Sequence, residues 1–162
     1  MKVVWFIVLL ALVIAVFIFL AGQFGMLKGN APSNLGVTEG RLKPPARTPN
    51  SVSSQAALYP DHPQAHYAAI APLDYRGDGT AAMAKLANVV NAQPGTVIVS
   101  QSDGYLYAQS TTKLLRFTDD VEFWLDTANQ KIQVRSSSRI GRKDFGVNRK
   151  RIETIRAQFQ AS

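Results

Sequence analysis

The sequence predicts an α+β protein in which an N-terminal transmembrane helix precedes an antiparallel β-sheet of about five strands, with two helices packed on one face of the sheet. Three observations support this prediction: an unbroken apolar run at the start, several strand-like segments joined by short turns, and two amphipathic segments beside them. Strands joined by short turns must be antiparallel, because parallel pairs need long crossovers. Two helices with one apolar stripe each need a surface to cover, and one face of a sheet provides it.

The apolar run covers residues 3–21 without a polar interruption. A helix of about 20 such residues spans the hydrocarbon core of a bilayer. A cleaved signal peptide is the alternative, but its apolar region is shorter, about 7–15 residues, and it ends at a small-x-small site. The sequence FLAGQFG contains no good site of that kind. We therefore expect residues 1–22 to be an uncleaved single-pass anchor.

Charges flanking the run are nearly balanced, with Lys2 on one side and Lys28 on the other, so the positive-inside rule decides little. The two-residue tail before the run favours a cytoplasmic N-terminus. The soluble part is then predicted to lie outside the cytoplasm, anchored in the inner (plasma) membrane.

Composition excludes some chemistry. The 162 residues include no cysteine, which removes disulfides, thiolate nucleophiles and cysteine-based metal sites. The net charge of +7 suits nucleic acid, a membrane surface or an anionic small molecule as partner. After the anchor, the chain is long enough for one domain of ordinary size.

Residues 23–58 are rich in Gly, Pro and Ser and lack periodicity, which predicts a linker, and residues 59–162 are predicted to form the domain. The predicted elements are a strand at 66–73, a helix at 80–92, strands at 96–102, 105–111, 114–126 and 131–138, and a helix from about 148. Both helices have apolar residues at helical spacing, and Pro94-Gly95 ends the first. Asp103-Gly104 is a strong hairpin signal between two of the strands.

The strand segment RFTDDVEFWLD carries three acids within four positions, residues 119–122. Residues two apart share a face of a strand, which places Asp119 on the apolar face with Phe123, and Asp120 and Glu122 on the other face. A carboxylate on an apolar face is costly unless it is paired and hydrogen-bonded. The alternative is a β-bulge at Asp119-Asp120 that turns the side chain outward.

The last helix has an unfavourable charge pattern. Asn148 is predicted to be its N-cap, yet Arg149, Lys150 and Arg151 follow in the first turn, where the helix dipole disfavours cations. The acids of the preceding strand, Asp144, or a bound anion at the helix N-terminus would each offset that charge.

The region from Arg116 to Arg156 resembles the signature of a bacterial and plastid family known as domain of unknown function 1499. The matching residues are Phe117, Asp119, Asp120, Glu122, Phe123, Arg135, Ser136, Ser138, Arg139, Gly141, Asp144, Gly146, Asn148, Arg149, Arg151 and Glu153. Upstream, NSVSSQ resembles an element in which many members carry Cys where this chain has Ser51. The resemblance covers about residues 45 to 160; it implies membrane anchoring, which is common among members, and no established activity.

Two interpretations of these charges remain. The first is a structural ion-pair network that locks the last helix to the sheet, formed by Asp119, Asp120, Glu122, Asp144, Asn148 and Arg151. The second is a pocket for an anionic small molecule or lipid headgroup, formed by Arg135, Arg139 and Arg149 with Ser136 and Ser138 as extra donors. The two can coexist.

Other classes of function have weaker support. Paired carboxylates could perform acid–base work in a hydrolase- or transferase-like enzyme, but adjacent strand residues point to opposite faces. His62 and His66 are too few for a metal site, no cofactor is indicated, and the sheet signature of an RNA-binding motif is missing. The sequence therefore predicts a non-enzymatic envelope module that binds an anionic ligand, a headgroup or a protein partner.

Overall fold

The structure is a computed structural model that describes residues 1–161 and confirms the predicted class: a long apolar helix followed by an α+β domain. The elements in chain order are α1 (Lys2–Gln23), β1 (Ser51–Ser53), α2 (Ala65–Ala68), β2 (Leu73–Asp74), α3 (Gly79–Asn91), β3 (Thr96–Ser102), β4 (Tyr105–Thr111), β5 (Thr118–Asp126), β6 (Lys131–Ser138) and α4 (Val147–Ala161). A short 3-10 helix, Ala56–Leu58, follows β1.

The sheet has the order β1-β6-β5-β4-β3, and all of these neighbours are antiparallel. The two-residue strand β2 pairs with the start of β6, beyond the part that β1 covers. Strands β3 and β4 form the hairpin predicted at Asp103-Gly104, where Gly104 has a φ of 78°, a left-handed conformation that tight hairpin turns require. Pairing of β5 is continuous through Asp119 and Asp120, so the alternative of a bulge there was wrong.

Helices α3 and α4 cover one face of the sheet and form the hydrophobic core with it. Leu86 of α3 and Ile152 of α4 are fully buried, as are Leu106, Phe123 and Val134 from three successive strands. Full burial of such side chains contributes about 1.5–3 kcal/mol each. We call this side of the sheet the helix face.

The opposite side of the sheet is covered by residues 29–50, which we call the strap. Leu42 of the strap is buried, and its backbone N–H donates to Oε1 of Gln55, whose Nε2 donates to the carbonyl of Gly40. The strap then leads directly into β1. Strand β1 and the buried Leu42 thus lie within residues 23–58, the stretch that the sequence predicts to be a linker. The strap contacts the sheet mainly through backbone and amide hydrogen bonds, which leave no periodic pattern in the sequence.

The predicted strand at 66–73 was also wrong. Its first half is the helix α2, and only Leu73 and the following residue pair with β6. Alanine is the best helix former, which favours helix over strand in the HYAAIA segment. Pro72 has no backbone N–H to donate to a ladder, which limits how far this edge strand extends.

Helix α1 is long and apolar enough to cross a membrane, with a hydropathy of 3.4 in its most apolar window. Its last turn meets loop 112–117 of the domain. Gln23 Nε2 donates to the carbonyl of Leu114 at 2.9 Å, and a Cβ added at Gly22 would lie 2.6 Å from the carbonyl oxygen of Leu115. Glycine thus permits a close approach of helix and loop.

This contact defines two ends of the domain. The α1 end consists of loop 112–117 with the neighbouring loops 92–95 and 139–146, and the far end consists of loops 75–78, 103–104 and 127–130.

Removal of the strap tests whether residues 29–58 belong to the folded domain. We expect a chain shortened to residues 59–162 to lose cooperative unfolding, because it lacks β1 and exposes the sheet face that the strap covers. Residues 27–162, which lack only α1 and its end, should unfold in one cooperative transition. Thermal unfolding followed by circular dichroism distinguishes the two, and equal melting of both chains would contradict the strap's structural role.

Candidate functional site

Three of the four acids of β5 divide between the two faces of the sheet, and each of these three contacts a different arginine. On the helix face, Asp119 accepts from Arg151 of α4. On the strap face, Asp120 accepts from Arg139, and Glu122 accepts from Arg135 of β6. The three N–O distances are 2.6, 2.7 and 3.1 Å in that order. The carboxylate on the apolar face is thus paired, as its position requires.

Asp120 is the best-bonded of the three acids. Nε of Arg139 lies 3.1 and 3.0 Å from its two oxygens, and Nη2 lies 2.7 Å from Oδ1. The hydroxyl of Tyr107 donates to the same Oδ1 at 2.6 Å. Hydrogen bonding to Asp120 raises the pKa of Arg139, and burial together with the Asp120 bond raises the pKa of Tyr107. Both groups therefore keep their protons at physiological pH.

Glu122 joins the strap to the sheet. Its side chain has no exposed surface, and besides Arg135 it accepts from the Tyr105 hydroxyl and from the backbone N–H of Gly36, each at 2.9 Å. Arg135 in turn donates from Nε to the carbonyl of Pro44 at 3.3 Å. Burial, followed by the charge of Glu122, raises the pKa of Tyr105 well above its usual range. Two strap residues thus complete a buried ion pair.

Asn148 is the centre of the network on the helix face and is fully buried. Its Oδ1 accepts from the Ser136 hydroxyl and from Arg151. Its Nδ2 donates to the Ser138 hydroxyl, the Asp144 carboxylate and the carbonyl of Asn50. One amide thereby connects α4 to β6 and to the residue before β1.

The prediction that Asn148 caps α4 was wrong, because the helix begins one residue earlier, at Val147. The carboxylate of Asp144 performs the capping instead, accepting from the backbone N–H groups of Gly146 and Asn148. Burial acts to raise the pKa of Asp144, but hydrogen bonds from Tyr67, Asn148 and the two amides outweigh it, and the pKa lies below its usual value. The acid stays ionised beside the first-turn cations.

The residues predicted to form an anion pocket do not converge. Arg135 and Arg139 lie on the strap face, each occupied by a carboxylate, whereas Ser136 and Ser138 bond to Asn148 on the helix face. Arg149 donates to the carbonyl of Tyr67 at 2.6 Å. Within residues 1–161, no buried side-chain polar atom lacks a hydrogen-bond partner. Each buried polar side-chain atom of the two networks therefore has a hydrogen-bond partner within the protein.

The carboxylates also do not share a site. Asp119 and Asp120 point to opposite faces and contact different arginines, so they are not arranged to divide acid and base roles. In the described part of the chain, no three His, Cys, Asp or Glu side chains are close enough to hold a metal ion.

Comparison with known proteins gives the family. Residues 41–159 match the family described as Protein of unknown function (DUF1499). The chain belongs to this family. No curated protein and no solved structure matches it. The match begins within the strap and includes β1, so the DUF1499 unit contains the strap's contact with Gln55. The family description assigns no activity, and the surface of this DUF1499 chain is the remaining guide to function.

The α1 end of the domain carries a basic and apolar surface that the sequence analysis missed. Four exposed cations there make no ion pair within residues 1–161, and we call them the loop cations: Lys113, Arg116, Arg142 and Lys143. Two large apolar side chains lie beside them, Leu114 with 65% and Phe145 with 93% of the side chain exposed. The signal was present in the sequence as K-L-L-R, an apolar pair between cations in a loop.

The far end has the opposite charge. Its loops and the adjoining strand ends contain four acids, namely Asp74, Asp78, Asp103 and Asp126, against two cations, Arg76 and Lys131, of which Lys131 pairs with Asp74. The domain is therefore polarised along its strands, with cations near α1 and acids away from it.

An isosteric substitution tests the Asn148 network. Asn148→Asp replaces the donating amide with an oxygen that faces the Asp144 carboxylate and the Asn50 carbonyl. We expect a loss of about 3 kcal/mol or more in the free energy of unfolding, the usual cost of an uncompensated buried charge. Asn88→Asp, the same change at an exposed position of α3, should cost less than about 1 kcal/mol. Urea unfolding measures both, and similar values would contradict the role given to Asn148.

Proposed function

We propose that the protein is a membrane-anchored, non-enzymatic module of the cell envelope whose α1 end docks on the anionic headgroups of the bilayer that holds α1. The observation that carries this proposal is the packing of α1 against loop 112–117. That loop presents exposed Leu114 between two unpaired cations. If α1 crosses a bilayer, its last turn holds this loop at the headgroup level.

The charge and the apolar side chains of the α1 end support docking rather than simple tethering. Each Lys or Arg near an anionic surface contributes about 1 kcal/mol, so the four loop cations together contribute on the order of 4 kcal/mol. Leu114 and Phe145 can enter the interface between headgroups and acyl chains, as apolar residues of interfacial segments do. The acidic far end would be repelled by the same surface, which favours one orientation of the domain.

The buried networks support a non-enzymatic module. Asp120 and Glu122 are buried and fully bonded by arginines and tyrosines, which is the environment of structural ion pairs. The enzyme alternative would need carboxylates that face a substrate. Asp120 and Glu122 do not line the cavities of the α1 end, and Asp119, which lines one of them, is bonded to Arg151.

We also propose which membrane holds α1 and on which side of that membrane the domain lies. We infer that α1 is retained as a single-pass anchor in the inner (plasma) membrane and that the domain lies outside the cytoplasm. The length of the apolar run supports retention as an anchor.

Hydrogen–deuterium exchange of the full chain in lipid nanodiscs tests the docking. We expect amides of loops 112–117 and 139–146 to exchange more slowly in discs of equal parts phosphatidylcholine and phosphatidylglycerol than in discs of phosphatidylcholine alone. A slowing of about tenfold corresponds to 1.4 kcal/mol of docking free energy. High salt should remove the difference, because it screens surface charge, and loop 127–130 at the far end should be unaffected.

Matched charge reversals complete the test. The double substitution Arg142→Glu with Lys143→Glu should abolish the slowing, whereas Arg76→Glu at the far end should leave it intact. Identical exchange in both kinds of disc would overturn the proposal and direct the search toward a protein partner for the α1 end.

A further inference from the structure

A cavity of about 650 Å³ opens beside loop 112–117 at the α1 end. It lies on the helix face, between the turn that follows α3 and the first turn of α4. Its walls include Pro94, Val97, Ser110, Lys113, Arg116 and Arg151. The volume falls in the range of about 300–1,000 Å³ that is usual for small-molecule sites.

The walls of the cavity suit a phosphate ester. Three cations line it, four Ser and Thr hydroxyls lie beside them, and no carboxylate contributes to the wall. Arg151 makes three hydrogen bonds within the described chain. A guanidinium has five N–H donors, so Arg151 retains donors for an oxyanion while Asp119 holds it in place. Lys113 and Arg116 supply further positive charge at the mouth.

The backbone of loop 112–117 holds Arg116 in an uncommon conformation. Its φ is 60°, the left-handed region that non-glycine residues rarely occupy. The loop is fixed by the Arg116 N–H, which donates to the carbonyl of Thr112, and by the Phe117 N–H, which donates to Oγ1 of Thr112. Such strain is retained where the surrounding structure imposes it and is concentrated at functional sites. In loop 112–117, this strained conformation fixes the backbone of Arg116, whose cationic side chain lines the cavity.

We propose that this cavity binds the phosphate-ester headgroup of one anionic glycerophospholipid drawn from the adjacent bilayer. The inference rests on the proposed docking of the α1 end, which brings the mouth of the cavity to the headgroup layer. A lipid rather than a soluble phosphate is favoured because Leu114, exposed on the same loop, and the apolar Pro94 and Val97 accompany the cations. The lipid's glycerol and acyl chains then remain on the bilayer side.

Native mass spectrometry of the full chain in detergent micelles tests this site. With equal parts phosphatidylglycerol and phosphatidylcholine added, the wild-type chain should retain one phosphatidylglycerol molecule and no phosphatidylcholine. Thr96 pairs with Ser110 on the helix face, so Thr96→Asp places a carboxylate in the cavity wall and should lower the retained lipid by about tenfold or more, because the carboxylate repels the phosphate.

Two control variants isolate the charge in the cavity. Thr96→Asn has the same shape as the aspartate without the charge, and Val99→Asp adds the charge at an exposed position of the same strand outside the cavity wall. Both should retain the lipid. Lys113→Ala, on an exposed loop, should weaken retention without any change to the strand, which covers the case in which Thr96→Asp fails to fold.

The possible outcomes distinguish lipid binding in the cavity from docking of the α1 end on the bilayer. If the wild type retains no lipid but the nanodisc exchange still slows, the cavity inference fails and the proposed function stands. If neither effect is seen, both fail. If inorganic phosphate or glycerol 3-phosphate displaces the lipid at equal concentration, the site is one for soluble phosphates and the lipid assignment is overturned. Retention by the wild type and loss in Thr96→Asp, with unchanged exchange of loop 139–146, supports the site.

Discussion

The pairing of three carboxylates of β5 with three arginines is the interaction on which the rest of the domain depends. Strand β5 is the middle of the sheet and is covered on both sides, so its polar side chains must be bonded within the protein. Asp119 contacts α4, Asp120 contacts the residue that follows β6, and Glu122 joins β6 and the strap. Because adjacent residues of a strand point in opposite directions, one acidic segment ties elements on both faces of the sheet.

Because these charges are paired within the protein, the candidate functional surface lies outside the acidic strand and its arginines, at the α1 end. Arg135, Arg139 and Arg151 have structural partners, and the networks are satisfied without a ligand. The cations that bear on function are instead the loop cations of the α1 end, where the anchor helix meets the domain. A rigid, internally neutralised sheet is a suitable support for such loops, because it fixes their orientation relative to α1.

Helices and strands with regularly repeating apolar positions could be predicted from the sequence. Elements without such a repeat could not. The hairpin strands and both long helices follow from repeating apolar positions, and the alternation of β5 placed Asp119 opposite Asp120 and Glu122. The strap has no period, since it is held through Gly36, Pro44 and Gln55 by backbone groups and a single amide. Asp144 caps α4 in place of Asn148. Its charged carboxylate accepts from two backbone N–H groups, whereas the side chain of Asn148 bonds to the sheet. Which arginine meets which acid depends on tertiary packing, and a strand pattern does not specify it.

A double-mutant cycle on Asp120 and Arg139 tests the central claim most directly, that the acidic strand and the arginines serve the fold by pairing with each other. The free energy of unfolding would be measured for the wild type, Asp120→Asn, Arg139→Gln and the double variant, all in the full chain in detergent micelles. The account predicts a loss of about 3–5 kcal/mol in each single variant and a coupling energy of about 1–3 kcal/mol in the cycle. Additive losses, or no loss in Arg139→Gln, would contradict it and return Arg139 to the candidates for ligand binding.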